Sequence, residues 1–209
     1  MFTGIIEAVG RIRSVTPQSE GGDAGVRLDV DAGALPMDNV RIGDSIAING
    51  ACMTVVEKTA QGFKVDVSRE SLNRTSGLDR PGEVNLEKAL ALGDSLGGHL
   101  VSGHVDGIGT VVRFVPVAES HELVVEAPHE LGKFLAYKGS VAVNGVSLTV
   151  NSVEDVPTGC RFSINLIPHT VEVTALKHLA AGAKVNLEID LIARYVERML
   201  ESGLMFNGK

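Results

Sequence analysis

Gly43-Asp44-Ser45-Ile46-Ala47-Ile48-Asn49-Gly50-Ala51-Cys52-Met53-Thr54-Val55 is written a second time as Lys138-Gly139-Ser140-Val141-Ala142-Val143-Asn144-Gly145-Val146-Ser147-Leu148-Thr149-Val150. Working outward, residues 1–10 register with 100–109, and Val84-Asn85-Leu86-Glu87 with Val185-Asn186-Leu187-Glu188. The chain is a tandem duplication. Solenoid units run roughly 20 to 50 residues, whereas half of these 209 residues suffices for one hydrophobic core. Each copy therefore reads as a whole small domain, and two similar domains make two similar pockets, suited to holding two copies of one ligand.

Within each half, apolar residues alternate at period two over short runs, as in Val26-Arg27-Leu28-Asp29-Val30, Ile46-Ala47-Ile48 and Phe63-Lys64-Val65-Asp66-Val67, which is the pattern of half-buried strands. Asn49-Gly50 and Asn144-Gly145 sit between such runs, where positive φ at both central residues makes a tight hairpin. Short strands of this density close into barrels, which removes exposed edges. The expected fold is all-β, with two tandem six-stranded Greek-key barrels over residues 1–97 and 98–190. Short helices are expected around Met37-Asp38, over 69–75, and over 128–135 and 168–176, the last two opened by Pro128 and Pro168. The Gly-rich stretch 92–98 reads as a linker.

The last segment, 191–209, has no counterpart in the first half. Leu191, Ile192, Tyr195, Val196, Met199 and Leu200 recur at helical spacing, with Arg194, Glu197, Arg198 and Glu201 on the other face. This is an amphipathic helix. Lying beyond both repeats, it is expected to serve oligomerisation by packing on other subunits, the alternative being its own barrel.

Composition is that of an ordinary globular chain, 44% hydrophobic and 22% charged. Its 26 acidic against 19 basic residues, a net charge of −7, argue against nucleic acid or an anionic membrane as partner, since both demand clustered Lys and Arg. Two cysteines, Cys52 and Cys160, offer no disulfide framework and no CxxC pattern. With no apolar run of membrane-spanning length and no charged-then-apolar leader, the chain reads as cytoplasmic.

Hydrolase, kinase and dinucleotide-binding signatures are absent. His99 and His104, five residues apart, make a weak case for zinc, and no metal is expected. More is legible in where the copies differ: Ile5 against His104, Gly43 against Lys138, Cys52 against Ser147. Polar chemistry tilts towards the second copy. A histidine can shuttle a proton near neutrality, a lysine in a cleft can stabilise an anion, and a cysteine is polarizable and nucleophilic.

The opening residues 1–7, the paired Asn-Gly blocks, Gly97-Gly98-His99-Leu100-Val101-Ser102-Gly103-His104-Val105-Asp106 and Asn165-Leu166-Ile167-Pro168-His169-Thr170 together resemble the riboflavin synthase family, alpha-chain type, from Met1 to the terminal helix. The resemblance implies a transferase that dismutates two molecules of 6,7-dimethyl-8-ribityllumazine, passing a four-carbon unit from one to the other to give riboflavin and 5-amino-6-ribitylamino-uracil. No cofactor is implied. The partners implied are the small-molecule lumazine and two further copies of the chain in a homotrimer, with the active site between the first barrel of one subunit and the second barrel of a neighbour.

Carried over motif by motif, the implied ligand contacts are Gly4, Ile5, Ile6, Cys52, Met53, Thr54, Asp66, Val67, Ser68, Arg69, Glu70 and Ser71 in the first copy. In the second they are Gly103, His104, Val105, Lys138, Ser147, Leu148, Thr149, Asn165, Leu166, Ile167, Pro168, His169 and Thr170. The implied chemistry is deprotonation of one lumazine's C7 methyl and attack of the carbanion on the other. His104 is the preferred proton-transfer residue, Ser147 and Lys138 support the anion, and Cys52, Ser45 and Asp190 assist at the partner site. The chain departs from the family at Ser68-Arg69-Glu70-Ser71, where a Met-x-Glu-Thr type segment is usual. Ser71 keeps the hydroxyl, Ser68 gives up an apolar cover for the ring, and Arg69 reads as a solvated helix residue. The rival is a non-catalytic lumazine- or flavin-binding antenna protein built on the same two barrels.

Overall fold

The computed structural model describes residues 1–19 and 24–202; residues 203–209 of the expected terminal segment lie outside the described residues. Strands β1 (Ala8–Pro17), β2 (Val26–Asp31), β3 (Ser45–Ile48), β4 (Ala51–Lys58), β5 (Gly62–Val67) and β6 (Gly82–Lys88) close an antiparallel barrel in the order β1-β2-β5-β4-β3-β6. The alternation seen in the sequence drives the closure. Leu28 and Val30 on β2, Phe63, Val65 and Val67 on β5, and Ile46, Ile48, Met53 and Val55 on β3 and β4 turn inward and form one core, because successive strand side chains point to opposite faces.

The second half holds β7 (Gly107–Val117), β8 (Ser120–Ala127), β9 (Ser140–Val143), β10 (Val146–Thr149), β11 (Ser152–Val156), β12 (Gly159–Leu166) and β13 (Lys184–Ile189), in the order β10-β9-β13-β7-β8-β12-β11. The order follows that of the first barrel, with β10 and β11 together in the place of β4, but the ladder does not close: β10 and β11 are the two edges of the sheet. The expected six strands are thus seven segments. β4 passes Val55 with a bulge and resumes pairing with β5 at Glu57. Its counterpart breaks at Val150 and Asn151, and pairing with β12 resumes only at Ser152. Asn151 N–H still donates to Ser163 O at 2.8 Å, so the chain keeps its course.

The helices are α1 (Arg69–Arg74), α2 (His129–Gly132), α3 (Pro168–Val173) and α4 (Leu191–Glu201). Pro168 opens α3 at its first turn. Around Met37-Asp38 no helix forms; a single turn closes with Val40 N–H on Met37 O, since Asp38 and Asn39 favour turns over helix interior. Asp190 caps α4, its Oδ1 accepting from Ile192 N–H at 2.9 Å. The charged face of α4 is the one that docks: Arg194 donates to Asp106 at 2.8 and 3.0 Å, and Glu197 pairs with Lys133. Ile192, Tyr195, Val196, Met199 and Leu200 are left exposed.

Between the barrels runs a seam whose contacts join residues equivalent in the repeat register, as across a pseudo-twofold axis. Phe2 and Val101 form an antiparallel bridge and bury themselves with Ala47 and Ala142. The two Asn-Gly turns lie back to back. Both use positive φ (Asn49 46°, Gly50 84°, Asn144 47°, Gly145 80°), and a Cβ on Gly50 would sit 2.8 Å from Gly145 N. The Asn-Gly pairs therefore serve the seam as well as the hairpins.

Asn85 and Asn186 lock it. Asn85 Nδ2 donates to Asn144 O at 2.9 Å, and Asn85 Oδ1 accepts from Ala175 N–H at 2.7 Å. Asn186 Nδ2 donates to Asn49 O at 3.0 Å, and its Oδ1 accepts from Ser76 N–H at 2.7 Å. Asn85 is fully buried. Asn85→Ala strands a carbonyl and an N–H at the seam, and at about 1–3 kcal/mol for each unsatisfied group a loss of roughly 2–6 kcal/mol is expected in denaturant titration.

Candidate active site

Strand alternation sorts the implied ligand contacts. Cys52 and Thr54 on β4, and Ser147 and Thr149 on β10, face out of their barrels, whereas Met53 and Leu148 between them are buried in the cores. Val67 and Leu166 are core residues too. For these four, only main-chain groups are available to a ligand. Ser68, Glu70, Asn165, Ile167, Pro168 and His169 are exposed, with Arg69, Ser71 and Thr170 partly so. They stand at the ends of β5 and β12 and on α1 and α3, flanking β4 and β10.

The structure regroups the segments across the repeats. Gly4 belongs to the first copy, yet its carbonyl accepts from Ser147 N–H at 2.8 Å, and Ile6 packs against the second core. Reciprocally, Gly103 O accepts from Cys52 N–H at 2.8 Å, and Val105 packs against the first core. Through these contacts Gly4, Ile5 and Ile6 lie with the Ser147, Leu148 and Thr149 strand of the second copy, and Gly103, His104 and Val105 with the Cys52, Met53 and Thr54 strand of the first. His104 stands with Cys52, and not with Ser147 and Lys138, so the polar chemistry that accumulates in the second copy is divided in space.

Each crossing segment is tethered to its own barrel by a buried glutamate. Glu87 accepts from Thr3 N–H (2.6 Å), Thr3 Oγ1 (2.7 Å) and Gly4 N–H (3.0 Å). Glu188 does the same for Ser102 N–H (2.6 Å), Ser102 Oγ (2.7 Å) and Gly103 N–H (3.0 Å). Burial pushes both carboxyls above the usual carboxylate range, outweighing those donors, which act the other way. A raised folded-state pKa means stability that is complete below the unfolded-state value and lost as pH rises through the folded one. Glutamine at either site keeps one acceptor oxygen but turns an NH2 towards the glycine N–H. The Glu87→Gln and Glu188→Gln chains are expected to lose about 1–3 kcal/mol each, with the wild-type advantage in thermal melts narrowing as pH rises above the unfolded glutamate value of about 4.3.

Lys138 occupies the left-handed region at φ 64°, where its counterpart Gly43 has φ 97°. That conformation costs a side-chain-bearing residue about 1–2 kcal/mol, and strain of this kind gathers at functional sites. Its Nζ donates to Asn151 Oδ1 at 3.0 Å and lies 5.4 Å from the Tyr137 ring centroid. Ser45 pairs with Thr54 in the β3–β4 ladder and, with Ile5, lines a cavity of about 830 Å³. That cavity holds neither Ser147 nor His104.

Asp66 is engaged by Arg27 through bonds of 2.7 and 2.9 Å. The hydrogen bond from Arg27, ahead of its charge, holds the Asp66 carboxyl below the usual range. Ser68 acquires a structural task in place of the apolar cover: its Oγ caps α1 by accepting from Ser71 N–H at 3.0 Å and lies 2.9 Å from Ser71 Oγ. Arg69 is no solvated helix residue. It is half-buried and donates to Ala24 O at 2.6 Å.

His99 was the residue least expected here. Its Nδ1 lies 2.7 Å from Ser147 Oγ, and burial holds its imidazole below the usual histidine value, with Asp190 partly offsetting. The signal in the sequence was Gly97-Gly98, which marks close backbone approach. A Cβ on Gly98 would meet Thr3 O at 2.1 Å and Ser147 Oγ at 2.9 Å. Among the described residues no group of three or more His, Cys, Asp or Glu side chains is placed to hold a metal ion, and no helix is long and apolar enough to cross a membrane.

A family model described as the lumazine binding domain matches the chain twice, over residues 3–89 and 102–190. The riboflavin synthase of Photobacterium phosphoreum is 46% identical over 202 residues, covering 96% of this chain and 89% of that protein. That of Mycobacterium tuberculosis is 43% identical over 205 residues, covering 97% and 99%. Among solved structures, LumP complexed with 6,7-dimethyl-8-(1'-D-ribityl) lumazine superposes with a TM-score of 0.76 at 25% identity, covering 90% of this chain and 98% of that one. With two matched repeats and such relatives over almost its whole length, the chain belongs to the riboflavin synthase family of tandem lumazine-binding domains.

Proposed function

We propose that this protein is a riboflavin synthase: it converts two molecules of 6,7-dimethyl-8-ribityllumazine into riboflavin and 5-amino-6-ribitylamino-uracil. The observation that supports the reading is the pair of crossed contacts, Gly4 on Ser147 and Gly103 on Cys52, related across the seam. They share a main-chain frame, a glycine carbonyl on a strand N–H, so both suit the same compound. They differ in side chains, Ser147 with Lys138 against Cys52 with His104, so the two bound copies meet different chemistry. A dismutation asks for this combination of alike recognition and unlike reactivity.

In the proposed chemistry, a proton leaves the C7 methyl of one lumazine and the carbanion bonds to the second molecule. His104 moves the proton in its pocket beside Cys52. When the carbanion adds to the second lumazine, the electron pair becomes the new carbon–carbon bond and the negative charge passes to that molecule's ring, where Ser147 and Lys138 stabilise it; Ser45 and Asp190 act as hydrogen-bonding supports. Hydroxyls of Thr54, Thr149, Ser71 and Thr170 and nearby main-chain groups replace water around the ribityl chain. Residues 1–97 and 98–190 form the two binding domains and 191–209 the oligomerisation segment of a homotrimer. α4 supports that assembly by docking through its charged face and turning its apolar face outward. Both cysteines are free, which suits the reducing cytoplasm.

The test is incubation of the purified protein with the lumazine and no cofactor. Riboflavin and the diaminouracil are expected in equal amounts, each at half the lumazine consumed. Bound fluorescent lumazine that persists unchanged would make the protein a carrier of the antenna kind.

A further inference from the structure

We propose that His99 is a positioning residue, one that orients the Ser147 hydroxyl in a ligand pocket beside Gly4. The proposal rests on the reading of that pocket as a lumazine site.

Three features place His99 there. The contact from its Nδ1 to Ser147 Oγ, 2.7 Å, is the only side-chain hydrogen bond that Ser147 makes among the described residues. The approach is built into the backbone: His99 N–H donates to Thr3 O at 3.1 Å, and Gly98 leaves no room for a Cβ against Thr3 O and Ser147. The far nitrogen, Nε2, is buried without a partner. A histidine kept only for solubility or surface charge would not leave a ring nitrogen so placed, because an unsatisfied buried polar atom is costly.

A serine hydroxyl rotates to suit its neighbours. With Nδ1 fixed on one side and Gly4 O holding the Ser147 N–H on the other, Ser147 offers a single direction to a ligand. The opposite pocket is not built this way: Cys52, the counterpart of Ser147, makes no side-chain hydrogen bond among the described residues. His99 thereby adds a second asymmetry to pockets that share one frame.

The test is a double-mutant cycle on His99→Ala and Ser147→Ala, with His99→Asn as the rescue, reading lumazine turnover and, by fluorescence titration, lumazine affinity. Asparagine places a polar atom the same number of bonds from Cα as Nδ1. Each alanine variant is expected to lose about tenfold, the worth of one hydrogen bond. The double variant should lose no more than the worse single one, because coupled residues are non-additive, and asparagine should recover most of the loss. Multiplying losses in the double variant, an asparagine variant as impaired as the alanine one, or a wild-type-like His99→Ala would each overturn the proposal. If the unsubstituted protein binds lumazine without turning it over, the synthase reading fails by itself, and the same cycle in affinity still decides the role of His99.

Discussion

Gly4→Ala is expected to slow turnover by on the order of a hundredfold while leaving both barrels folded. Gly4 has φ 76°, and a Cβ there would sit 2.6 Å from Ser147 Cβ and 2.7 Å from Ser147 N. The left-handed conformation costs alanine about 1–2 kcal/mol. The collision with backbone adds about 1–3 kcal/mol, as overpacking does. The cheapest relief lifts the leading segment off β10. That breaks the bond from Ser147 N–H to Gly4 O and loosens Ile6 from the second core, while each barrel's own ladders are untouched. Displacement of about 1 Å at a site of this kind costs on the order of a hundredfold in rate. Gly103→Ala does the same to the other pocket, where the Cβ would meet Cys52 Cβ and the Phe2 ring, each at 2.7 Å. Ligand titration separates the two: either variant should bind lumazine at one site per chain instead of two, and both should make riboflavin on the order of a hundredfold more slowly. Full two-site binding with wild-type turnover in Gly4→Ala would refute the crossed arrangement.

Phe2→Ala is expected to uncouple the barrels. Phe2 is fully buried at the seam, against Val101, Ala47 and Ala142, and small neighbours cannot collapse far into the space a phenyl ring leaves. Large-to-small changes of this type cost about 3–5 kcal/mol, which for a chain of this length lowers Tm by roughly 6–20 °C. Because the loss falls on the seam, calorimetry should resolve two transitions where the parent shows one. A single transition within about 2 °C of the parent would mean that the Asn85 and Asn186 bonds hold the barrels together unaided.

The duplication made most of this fold legible. Alternation named the strands, Asn-Gly named the hairpins, and the register named which residues are equivalent. What it could not convey is which copy a segment leans on, because a repeat register is satisfied equally by Gly4 on its own barrel or on the neighbouring one. His104 and Ser147 illustrate this, although both belong to the second copy: Gly103, next to His104, accepts from Cys52 N–H, whereas Ser147 N–H donates to Gly4 O. Sequence alone shows Ser68 only as the loss of an apolar cover, while its value lies in the N–H it caps. His99 falls just outside the repeated blocks, and Gly98 beside it is the clearance that lets its ring reach Ser147. The break at Val150 left no mark, since Thr54-Val55 and Thr149-Val150 read alike.

The crossing of the leading segments also sets an order of events on a growing chain. Cys52 and Gly103 are roughly 50 residues apart, whereas Gly4 must wait for Ser147, roughly 140 residues later, and the longer closure costs about 1 kcal/mol more in chain entropy. Two pockets that are twins in the finished molecule are thus unequal in its synthesis. The one with Cys52 can close while the second barrel is still emerging. The one with Ser147 is completed by residues 4–6, held unsatisfied until the second barrel has formed.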